Sequence, residues 1–292
     1  MKYTDIARLF ALAAIWGGSY ALMRVVTPVF GGIGTMWLRV AIAGLALLAY
    51  AQLTRADLAF AKFWRHYLLI GLLSSALPFS LIGFAMQTLP AGYGAMLNAS
   101  SPFFGALFAA LLLAERLTAL RVLGLGIGFA GVAMIVNLGP LAVTPEVLLA
   151  AAACIAATAS YGFISVYIKK YVKGAPNMGL AAGTLLLAAG ATAPLAMPIT
   201  TWVTPSPVVL LCLLALALLC SAVAYLLYYR LIADIGPTKA ISVTFLIPFF
   251  GVAWGVVFLG ERLTSGAMAG GLLVLLGMTL VLDLLPTRRR DR

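Results

Sequence analysis

Residues 101–118 of this chain read SPFFGALFAALLLAERLT, and residues 247–264 read IPFFGVAWGVVFLGERLT. Nine of the eighteen aligned positions are identical without a gap, at a spacing of 146 residues in a chain of 292. Each stretch is an apolar run with a proline near its start and a glutamate near its end. A repeat at half the chain length indicates an internal duplication, in which each copy forms half of the fold.

The composition predicts an integral helical membrane protein, because the chain is 64% apolar and only 9% charged. A soluble domain of this length cannot bury so much apolar surface. A membrane-spanning helix, in contrast, needs about 20 mostly apolar residues. The formal net charge of +11 would also suit a nucleic-acid-binding protein, but the positions of the basic residues argue against that class.

Apolar runs, read against proline, glycine and charged breaks, predict ten membrane-spanning helices. They are expected near residues 4–26, 33–52, 66–87, 91–114, 119–137, 146–168, 177–199, 207–229, 237–260 and 264–285. With both termini in the cytoplasm, sixteen basic residues lie on the inner side, and only Arg24, Arg39 and Arg262 lie on the outer side. This positive-inside asymmetry sets the predicted orientation and explains the basic charge without nucleic acid.

The two halves of the chain, residues 1–142 and residues 143–292, each hold five predicted helices. Because five is an odd number, the second half enters the membrane from the opposite side. We therefore predict an all-α polytopic membrane protein, with ten transmembrane helices arranged as two inverted five-helix repeats around a central cavity. Inverted repeats of this kind are typical of secondary transporters, whose substrate sites lie near the bilayer midplane.

Three motifs carry a resemblance to a known family. The sequence WGGSY at residues 16–20, together with PFFG and ERLT in predicted helices 4 and 9, resembles the EamA-type branch of the drug/metabolite transporter superfamily. The resemblance covers the whole chain and implies a carrier for small metabolites. The length and apolar termini are similar to those of bacterial exporters of aromatic amino acids, which implies a substrate of that class.

Pro102 and Pro248 lie inside predicted helices 4 and 9. A proline within a helix leaves the carbonyl four residues earlier without its N–H donor, and these carbonyls belong to Asn98 and Thr244. In hydrocarbon such a carbonyl must face protein or a water-filled cavity. We expect the two carbonyls to frame a polar patch at the central cavity; their satisfaction by a neighbouring helix is the alternative.

Aromatic and hydroxyl side chains in the predicted spans complete the expected substrate-binding site, because rings pack against apolar groups and attract an ammonium group over their faces. Core packing is the alternative for each of them, and interfacial anchoring is a further alternative for Tyr228. The predicted substrate-binding residues are Trp16, Ser19, Tyr20, Phe79, Asn98, Ser101, Pro102, Ser160, Tyr161, Ser221, Tyr225, Tyr228, Thr244 and Pro248.

Acidic residues are missing from the middle of every predicted span. Proton-coupled carriers usually use a buried carboxylate or histidine, and the single histidine, His66, lies at the start of a predicted helix. Serine-protease and zinc-protease chemistry would need histidine at depth, and no Walker-type phosphate loop is present. We therefore predict that the protein is not an enzyme and has no catalytic residue, metal or cofactor.

The charged residues near the ends of the predicted spans are expected to have structural roles. We expect Arg24 and Arg39 to reach the outer headgroups by snorkelling, with an anion-attracting outer vestibule as the alternative. Glu115 and Glu261 end helices 4 and 9, and each is followed three residues later by a threonine placed to cap the next helix. We interpret both as structural turns rather than salt-bridged gates.

Together these patterns predict a secondary transporter that exports small zwitterionic or neutral metabolites by alternating access, most of all aromatic or large apolar amino acids. The alternatives are proton-coupled efflux of lipophilic cations, and exchange of phosphorylated metabolites, for which Lys239 would be the first residue to mutate. Membrane lipids and a small-molecule substrate are the expected partners, without nucleic acid. We expect a monomer in a bacterial inner membrane.

Overall fold

The structure of the chain, a computed structural model, describes residues 3–115, 117–137, 141–199, 204–235 and 243–281. All regular structure within these ranges is helical. The α-helices are α1 (Tyr3–Thr54), α2 (Phe60–Gly71), α3 (Leu77–Ala85), α4 (Ala91–Asn98), α5 (Ser101–Leu113), α6 (Ala119–Asn137), α7 (Pro145–Tyr171), α8 (Thr184–Ile199), α9 (Pro207–Leu214), α10 (Ala224–Ile235), α11 (Val243–Leu259) and α12 (Ser265–Val281). Three π-helical segments, Leu72–Ala76, Gly179–Gly183 and Ala215–Val223, join neighbouring helices.

Apolar helices long enough to cross a membrane account for most of the described chain. Six stretches meet this condition, namely Tyr3–Thr54, Phe60–Ala85, Ala91–Leu113, Pro145–Tyr171, Gly179–Pro198 and Pro207–Tyr228. Three shorter apolar helices lie at Ala119–Ile135, Leu246–Leu259 and Ser265–Val281. The chain is therefore a polytopic helical membrane protein, and each of the ten predicted segments overlaps one of these stretches.

Helix α1 contains two arms that fold back on each other at Gly31. The backbone of Gly31 has φ 68° and ψ 168°, a conformation that side chains with a Cβ rarely adopt. The guanidinium of Arg39 lies 3.8 Å from the sulfur of Met23, whereas sixteen residues of straight helix would separate them by about 24 Å. The two arms correspond to the predicted segments 4–26 and 33–52.

The helix that follows α1 begins earlier than its predicted start at residue 66. Helix α2 begins at Phe60, because a helix continues past the apolar run that marks the bilayer. Lys62 and Arg65 interrupt that run, but Phe63 and Tyr67 on the same helix are buried against the core. Hydropathy therefore located the membrane part of this helix and missed its first turns.

Glycines let α6 and α12 pack backbone against backbone. A Cβ placed on Gly124 would lie 2.8 Å from the carbonyl oxygen of Gly277, and one on Gly131 would lie 2.6 Å from that of Gly270. The residue number rises along α6 while that of its partner falls along α12, so the two helices are antiparallel. Small residues thus allow this close approach of the two helices.

The PFFG motifs dock on a glycine of another helix in the same way in both halves. A Cβ on Gly17 would lie 2.7 Å from the Cβ of Phe250 and 2.8 Å from the nitrogen of Gly251. A Cβ on Gly162 would lie 2.6 Å from both the Cβ of Phe104 and the nitrogen of Gly105. The last two residues of each motif therefore form the contact of α11 with the first arm of α1, and of α5 with α7.

Helices α5 and α11 also end in the same turn. The residue after each helix, Ala114 or Gly260, has a left-handed backbone with φ of 53° or 64°. The N–H groups of Glu115 and Glu261 then donate to carbonyls six residues earlier, at 3.3 and 3.1 Å, which is a Schellman C-cap. The threonine hydroxyls of this turn accept from the next helices, at 3.3 and 3.2 Å, as predicted.

Candidate functional site

The predicted helix over residues 91–114 is interrupted at Asn98–Ser101, where it divides into α4 and α5. The N–H groups of Ala99 and Ser100 donate to carbonyls only three residues earlier, at 3.2 and 3.1 Å. The carbonyl oxygen of Asn98, freed by Pro102, accepts the hydroxyl of Ser101 at 2.7 Å. A local hydroxyl thus satisfies this carbonyl, a partner that the sequence did not predict.

The corresponding proline in the second half does not interrupt its helix. Pro248 lies inside α11, which continues from Val243 to Leu259. The two halves therefore differ here, because the helix is divided in the first half and continuous in the second. Thr244 and Pro248 nevertheless lie opposite the break in the first half.

A small cavity lies between these two stretches. Its volume is about 30 Å³, and it is lined by Asn98, Ala99, Ser101, Pro102, Thr244, Ile247 and Pro248. Five of these were predicted substrate-binding residues. The Oδ1 atom of Asn98 is buried and has no hydrogen-bond partner. The cavity holds about one or two water molecules, so the central space is closed to a molecule the size of an amino acid in this conformation.

Arg39 is the main correction to the sequence-based site. Only 4% of this residue is exposed, so it does not snorkel to the headgroups. It lies seven residues, or about 10 Å, beyond the turn at Gly31–Gly32. None of the ion pairs among the described residues includes Arg39. A full positive charge is therefore enclosed in the helix bundle by neutral groups.

The shell around Arg39 comes from three neighbouring elements. Its Nε donates to the hydroxyl of Ser221 at 2.8 Å, and one terminal nitrogen donates to the carbonyl of Cys220 at 3.4 Å. The π-helical segment Ala215–Val223 presents both acceptors, because the Ala224 N–H donates to the Leu219 and Ser221 carbonyls instead of to that of Cys220. The ring of Phe79 lies 3.8 Å from the guanidinium carbon, a cation–π contact.

Three tyrosines lie near the same guanidinium. Tyr20, Tyr161 and Tyr225 lie close enough to interact electrostatically with Arg39, and Tyr20 also lies beside the Asn98 side chain. Five predicted residues, Tyr20, Phe79, Tyr161, Ser221 and Tyr225, thus meet around a cation that the prediction left out. The signal for Arg39 was present in the sequence as a basic residue seven positions inside a predicted span.

The remaining predicted residues lie in other contacts. Ser160 donates to the carbonyl of Leu73 at 2.5 Å, and this carbonyl belongs to the π-helical segment Leu72–Ala76. Ser19 donates to the carbonyl of Trp16 within its own helix, at 2.6 Å. The rings of Trp16 and Tyr228 pack together with centroids 5.3 Å apart, in a cluster with Leu12 and Leu231. Tyr228 is thus a packing residue rather than an interfacial anchor.

Glu261 joins the two halves at the predicted outer end of the bundle. Its carboxylate, with 9% side-chain exposure, accepts the N–H groups of Ala91 and Gly92 at 2.6 and 3.1 Å. These are the first two N–H groups of α4, where a negative charge is favourable. Arg24 lies 3.9 Å from the same carboxylate and donates to the carbonyl of Leu89 at 2.6 Å. Glu261 therefore makes contacts beyond the predicted turn, and Arg24 binds protein groups where lipid headgroups were expected.

Glu115 has the same local turn as Glu261 but different neighbours. Its carboxylate accepts the Lys169 ammonium at 2.8 Å and lies 3.9 Å from Arg121, and 36% of its side chain is exposed. The hydrogen bond from Lys169 holds the pKa of this carboxyl below its ordinary value of 4.5. One end of the bundle thus has a buried clamp, and the other has a solvated ion pair.

The described residues hold no group of three or more His, Cys, Asp and Glu side chains able to bind a metal ion. The single histidine, His66, lies 2.8 Å from the hydroxyl of Tyr167 through its Nδ1. Lys239, the residue on which the phosphorylated-metabolite alternative depends, lies outside the described residues.

Comparison with known proteins agrees with this architecture. The EamA-like transporter family matches this chain twice, at residues 6–137 and at residues 148–283. The uncharacterized transporter YvbV of Bacillus subtilis is 28% identical over 95% of this chain and 92% of its own length. The uncharacterized inner membrane transporter YedA of Escherichia coli K12 is 30% identical over 88% of this chain and 83% of its own length.

A protein of known crystal structure shares the fold. It superposes with a TM-score of 0.68 over 97% of this chain and 98% of its own length, at 19% sequence identity. Because the family matches almost the whole chain in two successive copies, the chain belongs to the EamA-like transporter family, a family of membrane proteins.

Proposed function

We propose that the protein is a secondary transporter that moves small zwitterionic or neutral metabolites, most of all aromatic or large apolar amino acids, by alternating access. The observation that carries the proposal is the meeting of two corresponding stretches, Asn98–Pro102 and Thr244–Pro248, at one cavity between the halves. Membership of a transporter family supports transport of a small molecule.

Ten transmembrane helices in two inverted repeats are part of the proposal. The family matches once in each half of the chain, which supports a duplication. The antiparallel contact of α6 with α12 joins Gly124 to Gly277 and Gly131 to Gly270. The partner of each glycine is the repeat counterpart of the other glycine, as expected for a two-fold axis in the membrane plane.

The proposed orientation places both termini in the cytoplasm of a bacterium, with the protein in the inner membrane. Ion pairs join residues that this orientation puts on the same side. Arg8 contacts Asp234 at 2.7 Å, and Lys169 contacts Glu115 at 2.8 Å, both at the inner side. Arg24 approaches Glu261 at the outer side.

The contrast between Glu261 and Glu115 supports alternating access. A clamp from Glu261 to the start of α4 closes the outer end, and it must break before that end can open. The cavity of about 30 Å³ is too small for an amino acid, so loading requires the halves to move apart. We propose that Glu261 is the outer gate of the carrier and that this conformation is closed to the outside.

The character of the site favours zwitterionic or neutral molecules over lipophilic cations. A buried guanidinium repels a cation, and none of the described carboxylates lies in the Arg39 shell to compensate for it. Tyrosine rings and hydroxyls suit a small amphipathic molecule. Proton-coupled efflux of cations therefore finds no support in the residues around Arg39.

Counterflow in proteoliposomes tests the proposed function. Liposomes loaded with unlabelled L-phenylalanine should accumulate external labelled L-phenylalanine faster than empty liposomes, and the rate should saturate. A carrier gives saturation and counterflow, whereas a channel gives neither. Efflux of a lipophilic cation such as tetraphenylphosphonium, with no counterflow of any amino acid, would establish the alternative function instead.

A further inference from the structure

We propose that Arg39 binds the carboxylate of the transported molecule, so that the substrate is a small amphipathic carboxylate, in its preferred form a zwitterion. This inference rests on the proposed transport function and names the substrate class that the Arg39 shell fits.

The burial of Arg39 favours the binding of an anion. Only 4% of the residue is exposed, and its described neighbours within hydrogen-bonding distance are a hydroxyl, a carbonyl and a thioether. Removing an ionised group from water is costly unless an opposite charge or several strong hydrogen bonds replace the lost hydration. Neutral acceptors replace that hydration only in part, so an anionic ligand would relieve the remaining cost.

The donors of Arg39 are arranged for such a ligand. A guanidinium has five N–H donors, and Ser221, Cys220 and Met23 account for three of them, the last through a weak contact of 3.8 Å to sulfur. Ser221 fixes the Nε edge and Phe79 covers one face at 3.8 Å, which orients the terminal nitrogens. One N–H group remains on each terminal nitrogen, and a carboxylate has two oxygens to accept them.

Two unpartnered hydroxyls lie one helical turn from Arg39 and Phe79 along the chain. Thr35 is one turn before Arg39 on its helix, and Ser75 is one turn before Phe79 on its own. The hydroxyl oxygens of both are fully buried and have no hydrogen-bond partner. Buried polar groups are seldom left unpaired, so these hydroxyls indicate that polar ligand atoms enter this region.

The charge balance favours a carboxylate over a phosphate ester. Arg39 is a single cation, and a carboxylate is a single anion, whereas a phosphate ester carries close to two negative charges. The nearest candidate for a second cation on the predicted outer half, Arg24, is already engaged with Glu261 and Leu89. A dianion would therefore leave uncompensated charge inside the bundle.

The walls of the shell fit the rest of an amphipathic molecule. Tyr20 and Tyr161 lie close enough to the guanidinium to interact with it electrostatically, and only 5% of Tyr20 is exposed. Asn98, beside Tyr20, has a buried Oδ1 acceptor without a partner. An ammonium group at Asn98 would donate to its Oδ1 acceptor. A carboxylate at Arg39 would accept from the remaining N–H donors of the guanidinium.

Competition against labelled L-phenylalanine counterflow tests the inference in the full-length protein. The competitors are L-phenylalanine, phenylacetate, L-phenylalaninamide and phenyl phosphate, which separate the carboxylate, the amine and the phosphate. In the wild-type protein we expect L-phenylalanine to compete at least ~10-fold better than its amide, the loss expected for a charge-assisted hydrogen-bond pair. In Arg39→Gln this ratio should fall to about one.

Arg39→Lys and thermal unfolding in detergent serve as controls, because Arg39→Gln can lose transport by misfolding. Lysine keeps the charge but not the paired geometry, so it should retain a reduced preference for the acid over the amide. A folded Arg39→Gln variant, or an active Arg39→Lys variant, with an unchanged preference would overturn the inference. If phenyl phosphate were the strongest competitor, the group bound by Arg39 would be a phosphate and not a carboxylate. Absence of counterflow in the wild-type protein would instead contradict the proposed function.

Discussion

The guanidinium of Arg39 and the ring of Phe79 lie 3.8 Å apart in a part of the bundle that hydropathy alone describes as apolar. Tyr20, Tyr161 and Tyr225 complete the surroundings of this charge. At this scale the chemistry of the site depends on one charged residue and on the neutral groups that position it. The break at Asn98 adds a buried acceptor beside Tyr20.

Substitutions at the site should affect transport more than substitution of the ion pair at the inner turn. Asn98→Ala and Tyr225→Ala each remove a side chain beside the Arg39 shell or the cavity, and we expect a change of about 5- to 10-fold in rate or competitor preference. Glu115→Gln removes a solvated ion pair, which contributes little, and should stay within about twofold. Initial counterflow rates measure all three, and the reverse ranking would move the site to the turns.

The residues of the site show what sequence reasoning can and cannot predict. Five residues around Arg39 and five around the cavity were among the predicted site residues. They were selected because polar and aromatic side chains deep in apolar helices often line a binding site. Arg39 was assigned to the headgroups because a linear sequence gives depth but not the direction in which a side chain points. The bond from Ser101 to the Asn98 carbonyl was missed for the same reason.

The helices themselves follow closely from local sequence. Local rules describe the turn at Gly31, the helix cap at Thr264 and the glycine contacts between α6 and α12. The π-helical segments do not follow from local sequence, because their wider turns depend on neighbours from other helices. Pro248 shows the limit most directly, since the same motif breaks the helix at Pro102 and leaves α11 continuous.

Two glycines of α6 offer a matched test of the helix packing. Gly131→Ala would place a Cβ 2.6 Å from the carbonyl oxygen of Gly270 and force α6 and α12 apart, at a cost of about 1–3 kcal/mol. Gly126 has nothing within 4 Å of its added Cβ, so Gly126→Ala should be neutral or stabilising by up to ~1 kcal/mol. Thermal unfolding in detergent measures both, and equal midpoints would contradict the proposed contact.

The Glu261 clamp is the element whose release should open the outer end. Glu261→Gln removes the charge at the start of α4, and a loss of ~1 kcal/mol shifts a two-state equilibrium about fivefold. A cysteine introduced at Met96, one turn below the clamp, in a background without native cysteines, should then react about fivefold faster with a maleimide. Glu115→Gln serves as the control with no expected change, and equal rates in the two variants would exclude Glu261 as a gate.

For the whole molecule, the arrangement of acidic residues predicts how transport responds to pH. The described carboxylates lie at helix ends or in turns, and the pKa of Glu115 is lowered by Lys169. A lowered pKa in the folded state contributes stability above the unfolded pKa, and this contribution is lost as pH falls through the folded pKa. We therefore expect the contact to persist at neutral pH and to weaken only when the solution is more acidic than the ordinary glutamate pKa of 4.5.

A proton gradient should accordingly not drive accumulation of the substrate. Uptake of labelled L-phenylalanine into proteoliposomes at equal pH and with an imposed gradient between pH 6 and 8 measures this directly. The two conditions should agree within about twofold, because no carboxylate among the described residues lies in the middle of a span to bind and release the proton. Strong acceleration by the gradient would establish proton coupling.

In the proposed architecture the two halves enter the membrane from opposite sides, and both the proposed carrier mechanism and the proposed shared site depend on this inversion. Single cysteines at Arg116 and Arg262, which are equivalent in the repeat, test this most directly when labelled in intact cells with a membrane-impermeant maleimide. We predict that the cysteine at residue 262 reacts in intact cells, and that the one at residue 116 reacts only after permeabilisation. Reaction of both from the same side would contradict the inverted repeat and the alternating access built on it.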